Sequence, residues 1–284
     1  MSKNYSKEAR IEIEKVMNWL SREEPVELVT HQFVDADAVF STALLKVLRP
    51  TTPLRFVRAD EEINDEKVLA IDLSNGTSAV KGIEIGSAFG VIVEALKTLD
   101  YQVYNLFKDW AKQLNLTDSG RKTRDSVVLA QLVRSWQMCF GKDRDMKIVS
   151  QGMLLISGQI KAAKKYQQQK ELAGNIEILN NIAVVPEDVK VKANLLFSRG
   201  AYAVIRQSSC GHCVLISKNL LKKGISLRDL ESIFPTWFFH ESGFMMAYGS
   251  RKAPKDYKES GKTLEQIVAI VDAWIRSYEV NGFI

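Results

Sequence analysis

The chemistry-bearing residues of this chain gather in two short stretches near its start. THQFVDADAVFS (30–41) supplies His31, Asp35 and Asp37, and LAIDLSNG (69–76) supplies Asp72. Each follows or ends a run of β-prone apolar residues, VELVTH (26–31) and VLAID (68–72), so the four side chains are expected where a strand ends and the next element begins. In open α/β sheets that is where ligands bind. If the two strands are neighbours, the four groups converge on one crevice. Carboxylates held that close repel one another unless a cation lies among them. One imidazole with three carboxylates suits a borderline-hard divalent ion, Mn²⁺ or Mg²⁺, and lacks the thiolates that favour zinc. The same residues also fit plainer roles: Asp35 as N-cap of a helix beginning at Ala36, Asp72 as a turn residue, His31 as a hydrogen-bonded strand end. The chain has three histidines, His31, His212 and His240, so any metal site must lean on carboxylates.

The elements that would position these groups follow from periodicity. Ile13, Val16, Met17 and Leu20 recur at helical spacing before the first strand. DADAVFSTALLKVL (35–48) suits a buried helix, LRFVR (54–58) a strand, and SAFGVIVEALKTL (87–99) a further helix. This alternation predicts an α/β layer with a largely parallel sheet. From 101 to 172 the apolar residues keep helical spacing (Leu129, Leu132, Val133, Trp136, then Met146, Val149, Met153, Ile156). The polar run KAAKKYQQQKELAGN (161–175) closes that helical region. Strand signals return at 182–186, 201–207 and 212–217, with SSCGH (208–212) as a hairpin turn. A short helix near Leu227–Ile233, a strand near Phe244–Tyr248 and a helix over Thr263–Ser277 follow. The expected architecture is two-domain α/β: an N-terminal parallel-sheet domain with its helical region over 1–160, a connector over 161–180, and a smaller C-terminal α/β domain over 181–284.

The pattern H-x-x-x-D-x-D-A after a strand resembles the first motif of the DHH phosphoesterase superfamily, the RecJ-like metal-dependent phosphodiesterases and exonucleases. LAIDLSNG resembles that superfamily's second motif, and WFFHESGFMMAYGSRKAP (237–254) its C-terminal substrate-binding motif. The resemblance covers about residues 26–275. It implies that His31 and Asp35 hold one metal, Asp37 a second, and that Asp72 bridges them. It further implies that His240, Ser242 and Gly243 contact substrate phosphate, with Arg251 and Lys252 adding charge, and that His240 joins Asp37 and Asp72 in catalysis. Asp118, in LTDSGRKT (116–123), resembles the family's late metal-ligating aspartate, and also fits a turn. One departure stands out. The family's Asp-His-His motif is missing: TSAVKGIEIG (77–86) follows Gly76, carries no histidine, and offers only Lys81 or Glu84 to fill part of the gap. The second metal site would lose a ligand.

The resemblance implies metal-dependent hydrolysis of a phosphodiester in a single-stranded nucleic acid or a dinucleotide. The departure leaves open a non-catalytic binding or scaffold subunit, alone, as a homodimer or with a protein partner. Lys161, Lys164, Lys165 and Tyr166, and Arg251, Lys252, Lys255 and Tyr257, interleave cations with aromatics as single-strand binding requires, or form solvated faces. Cys210-Gly-His-Cys213 lacks the partner pair that structural zinc wants and reads as a turn with ordinary thiols. At 46% hydrophobic and 26% charged, the chain excludes disorder as its dominant state. Its net charge of +5 permits a polyanionic ligand without requiring one. No long apolar run predicts a membrane span, MSKNYSKEARIEIEK lacks the apolar core of a secretory signal, and three cysteines make no disulfide framework, so the expected compartment is the cytoplasm.

Overall fold

The computed structural model describes residues 5–24, 26–140, 144–208, 211–248 and 262–283. The chain divides into two compact units, 1–163 and 164–284.

The first unit opens with α1 (Lys7–Ser21), capped by the Ser6 hydroxyl, which accepts from the Ala9 amide at 3.2 Å. Val16 and Trp19 are buried, and Ile13, Met17 and Leu20 pack around them. The strands β1 (Glu27–His31), β2 (Leu54–Val57), β3 (Val68–Ile71) and β4 (Ala79–Val80) form a parallel sheet in the order β2-β1-β3-β4. The two-residue β4 is too short to leave a periodic signal in the sequence. Side chains alternate across the sheet as strand geometry demands. Leu28, Leu69 and Ile71 join the larger core, while Val29, Val68 and Ala70 join Val57, Ile63 and Leu73 on the other face.

Between β1 and β2 runs α2 (Ala36–Leu48), in which every residue from Ala36 to Leu45 is buried. A helix apolar nearly all round belongs inside a protein. Beyond β4 come α3 (Ala88–Leu99), α4 (Tyr101–Asp118), α5 (Val128–Cys139) and α6 (Arg144–Gly174). A Cβ on Gly152 would lie 3.0 Å from both the Ala43 Cβ and the Val39 Cγ1, so the glycine lets α6 lie directly against α2. The stretch 161–174, expected within a connector, continues the 31-residue α6, and the units divide inside that helix.

The strand order locates the crevice. The chain leaves β1 toward β2 on one side and leaves β3 toward β4 on the other. Between β1 and β3 the connections diverge, which opens a ligand crevice at the carboxyl ends of those two strands.

The second unit holds β5 (Ile178–Leu179), β6 (Ile182–Val185), α7 (Ala193–Phe197), β7 (Ala203–Ser208), β8 (Gly211–Ile216), α8 (Lys218–Lys222), β9 (Phe238–Phe239), β10 (Met245–Tyr248) and α9 (Leu264–Val280). Its sheet runs β5-β6-β7-β8-β10-β9, with β6 and β7 parallel and the remaining pairs antiparallel. Ile205, Val214 and Met246 face a core completed by Ile267, Val271 and Trp274 of α9, whose start carries a reciprocal Thr263–Gln266 capping box. The expected α/β class with a parallel first sheet holds. Among the described residues, no helix is long and apolar enough to cross a membrane.

Candidate metal centre

Register brings the first two groups together. Thr30 lies opposite Ile71 on the parallel β1–β3 pair, so the next residues, His31 and Asp72, meet at the strand ends. His31 Nε2 lies 3.1 Å from Asp72 Oδ2. On the other side of its ring, Nδ1 lies 2.8 Å from the Gln32 carbonyl oxygen, which can only accept. Nδ1 therefore carries a proton, and in the neutral ring Nε2 keeps its lone pair for a ligand. Asp72 itself adopts φ +57, in the left-handed region that Asp and Asn tolerate better than most residues.

Asp35 caps α2 through Oδ1, which accepts from the Ala38 amide at 3.1 Å. The cap engages one oxygen and leaves the other. Its plain role and its candidate role are thus compatible. His31, Asp35 and Asp72 each offer a ligand atom, and these atoms lie within 4.8 Å of one another, the one such group of three among the described residues. The 3.1 Å between Nε2 and Oδ2 matches the spacing of two adjacent ligands about 2.1 Å from a common ion. The donor set therefore fits a divalent cation of the Mn²⁺ or Mg²⁺ class.

Asp37 is held differently. Its Oδ2 accepts from the Ala88 amide at 2.7 Å. Its Oδ1 accepts from the Phe89 amide at 2.8 Å and the Ser41 hydroxyl at 3.2 Å. The buried carboxylate thus straps α2 to the first turn of α3, where free amides and the helix dipole favour an anion. Burial pushes its carboxyl well up, Asp72 and Asp35 push it further, and the two amides pull it back. Asp118 ends α4 and lines a cleft of about 270 Å³ with Asp35, Asp37, Lys122, Arg134 and Gln137. Its carboxyl is raised by burial and then by the charge of Asp72. Asp35 is raised in the same way, crowded by protein although it keeps contact with solvent.

Of Lys81 and Glu84, the two groups offered for the gap left by the missing motif, Lys81 is the one that meets Asp72. Its Nζ forms an ion pair with Asp72 Oδ1. The carboxylate of Asp72 is therefore shared, Oδ2 toward His31 and Oδ1 toward Lys81. Glu84 lines a hollow with Glu12, Lys15 and Lys81 itself.

The hydrogen bond to Asp72 raises His31 from an ordinary 6.5 to about 9, against the opposing effect of burial. A folded value above the unfolded one contributes stability that is complete below about pH 6.5 and is lost as pH rises through about 9. The metal-free chain is expected to lose about 2–3 kcal/mol of unfolding free energy across that window. Urea midpoints in EDTA at pH 6 and pH 9 measure it. A His31→Gln chain with the same pH slope as its parent would remove His31 as the cause.

In the second unit, His240 accepts on Nδ1 from the Ser242 amide at 3.2 Å, with the Ser242 hydroxyl at 2.9 Å from the same atom. The neutral ring then carries its proton on Nε2, as a donor. Gly243 adopts φ +70, and a Cβ there would collide with the Ser226 hydroxyl, so the turn after His240 requires glycine. Arg251, Lys252, Lys255, Tyr257 and Cys210 lie outside the described residues. Lys161, Lys164, Lys165 and Tyr166 are exposed on α6, with Lys192 Nζ 5.6 Å from the centre of the Tyr166 ring. Cys139 is exposed at the end of α5.

No family model and no curated protein matches the chain. Among solved structures it is similar to a pGpG-specific phosphodiesterase, PggH, from Vibrio cholerae, at TM-score 0.33 and 13% identity over 89% of this chain and 99% of that one. It is also similar to RecJ from Thermus thermophilus in complex with Mg²⁺, at TM-score 0.29 and 12% identity over 97% and 52%. A manganese-bound exonuclease RecJ gives TM-score 0.28 and 11% identity over 98% and 96%. Similarity this distant carries no functional argument, and the chemistry rests on the side chains themselves.

Proposed function

We propose that the chain is a DHH-like, metal-dependent phosphodiesterase with a reduced metal centre, acting on a nucleic-acid strand or a small nucleotide. The observation that carries this reading is the meeting of His31, Asp35 and Asp72 within 4.8 Å at the crevice between β1 and β3. Those three side chains would hold the ion, with Asp118 as a fourth group on the cleft wall. A bound divalent ion supplies a water of lowered pKa and polarises a phosphoryl oxygen. Lys122 and Arg134, exposed along the same cleft, would take the non-bridging oxygens of the phosphate and offset charge that develops there. In the second unit, His240 with its Nε2 donor, Ser242 and Gly243 would bind phosphate, with Arg251 and Lys252 as further cations.

Incubation with Mn²⁺ and labelled single-stranded DNA, RNA, and linear and cyclic dinucleotides tests the reading. Cleavage of at least one substrate, stopped by EDTA and lost in Asp35→Asn, is the expected result. Asparagine caps a helix as well as aspartate does, so that variant removes a metal ligand and leaves α2 intact. Binding without cleavage of any of these substrates would favour the second reading, a non-catalytic nucleotide-binding or scaffold subunit. The observation on its side is that Asp37 and one oxygen of Asp72 are already engaged by protein donors.

A further inference from the structure

We infer that the Lys81 ammonium fills the place of a second cation, so that the centre takes one divalent ion per chain. The inference rests on the reading of His31, Asp35 and Asp72 as an ion site.

The fold delivers Lys81 to Asp72 by register. Val80 of β4 lies opposite Ile71 of β3, and the Asp72 amide donates to the Val80 carbonyl at 2.9 Å, so the next residue along β4 is Lys81 facing Asp72. The turn that follows is pinned. Glu12 Oε1 accepts from the amides of Lys81 at 2.8 Å and Gly82 at 3.1 Å. Gly82 adopts φ +75, and a Cβ there would collide with the Ser87 carbonyl. A lysine on so constrained a turn is a fixed charge rather than a sweeping surface chain.

Charge accounting points the same way. Asp35, Asp37 and Asp118 line one cleft, and Asp35 meets Asp72 and His31 within 4.8 Å, so several carboxylates crowd one crevice. One divalent ion beside His31, Asp35 and Asp72 leaves Asp72 Oδ1 in need of a cationic partner, and Lys81 supplies it. A second divalent ion on Oδ1 would meet an ammonium already seated there. The next carboxylate, Asp37, has both oxygens accepting from Ala88, Phe89 and Ser41. Each oxygen of Asp37 and Asp72 thus already has a protein partner in the arrangement observed, which a second ion would have to share or displace.

Manganese titration of the full chain, followed by calorimetry and by electron paramagnetic resonance, tests this. Wild type is expected to bind one Mn²⁺ with the spectrum of an isolated ion. In Lys81→Gln the metal-free melting temperature is expected to fall by about 5–10 °C, because the buried Asp72 loses a partner. Mn²⁺ should then raise that temperature at least twice as far as it does in wild type. Lys81→Arg, which keeps the charge, should retain one ion and most of the stability. Two spin-coupled ions in wild type would overturn the inference, whether or not Lys81→Gln folds. So would a Lys81→Gln chain with the parent's melting temperature and Mn²⁺ response. A wild-type chain that binds no Mn²⁺ would remove the one-ion centre and the phosphodiesterase reading together, whereas two ions would overturn the inference alone.

Discussion

Asp72→Asn is expected to give a folded chain that takes up no Mn²⁺ at concentrations saturating the parent and cleaves phosphodiesters at least about 10³-fold more slowly. The reasoning runs from backbone to chemistry. Asp72 occupies the left-handed region at φ +57, which asparagine tolerates and alanine does not, so asparagine changes charge without adding backbone strain. The substitution turns the one carboxylate that touches both His31 and Lys81 into a neutral amide. Loss of Lewis-acid stabilisation worth about 4 kcal/mol corresponds to about 10³ in rate. Circular dichroism checks the fold, calorimetry checks the ion, and a cleavage assay checks the rate. A folded Asp72→Asn chain with the parent's Mn²⁺ affinity and rate would dissolve the proposed centre.

The parts of this site that could be read in advance are those that local patterning controls. The β-prone runs ending at His31 and Asp72 mark strand ends, and Asp35 sits at the helix boundary that its residue type favours. Strand ends carry ligands, so His31, Asp35, Asp37 and Asp72 could be proposed as one group from the sequence, without a way to set Asp37 apart from the other three. What could not be read depends on pairings distant in sequence. Nothing local marks β4, because two residues have no period. Without β4 there is no register to place Lys81 against Asp72, and the lysine remains one of two charged residues in 77–86, with nothing to choose it over Glu84. The polar stretch 161–174, by contrast, reads as the close of a helical region as well as a connector, and its good helix formers do extend α6. Asp37 differs again. Its type and spacing suit a metal ligand, but a carboxylate suits the first turn of a helix equally, and only the position of α3 decides which donors reach it.

That choice makes Asp37→Ala the sharper structural test. The change leaves the buried Ala88 and Phe89 amides and the Ser41 hydroxyl without their acceptor and opens a void between α2 and α3. Each buried donor left unpaired costs about 1–3 kcal/mol, so the expected loss is about 3–5 kcal/mol in urea unfolding. Asp37→Asn keeps the volume and one acceptor oxygen but turns an amide NH₂ toward protein donors, and should fall between alanine and wild type. All partners of Asp37 in the strap are donors, so its ionised form fits them, even though burial and the neighbouring aspartates push its carboxyl upward. If Asp37 acts as a strap, the Asp37→Asn chain still binds one Mn²⁺, because His31, Asp35 and Asp72 are untouched. An Asp37→Ala chain as stable as its parent but unable to bind Mn²⁺ would instead return Asp37 to the ligand set, and with it the two-ion centre that Lys81 is argued to have replaced.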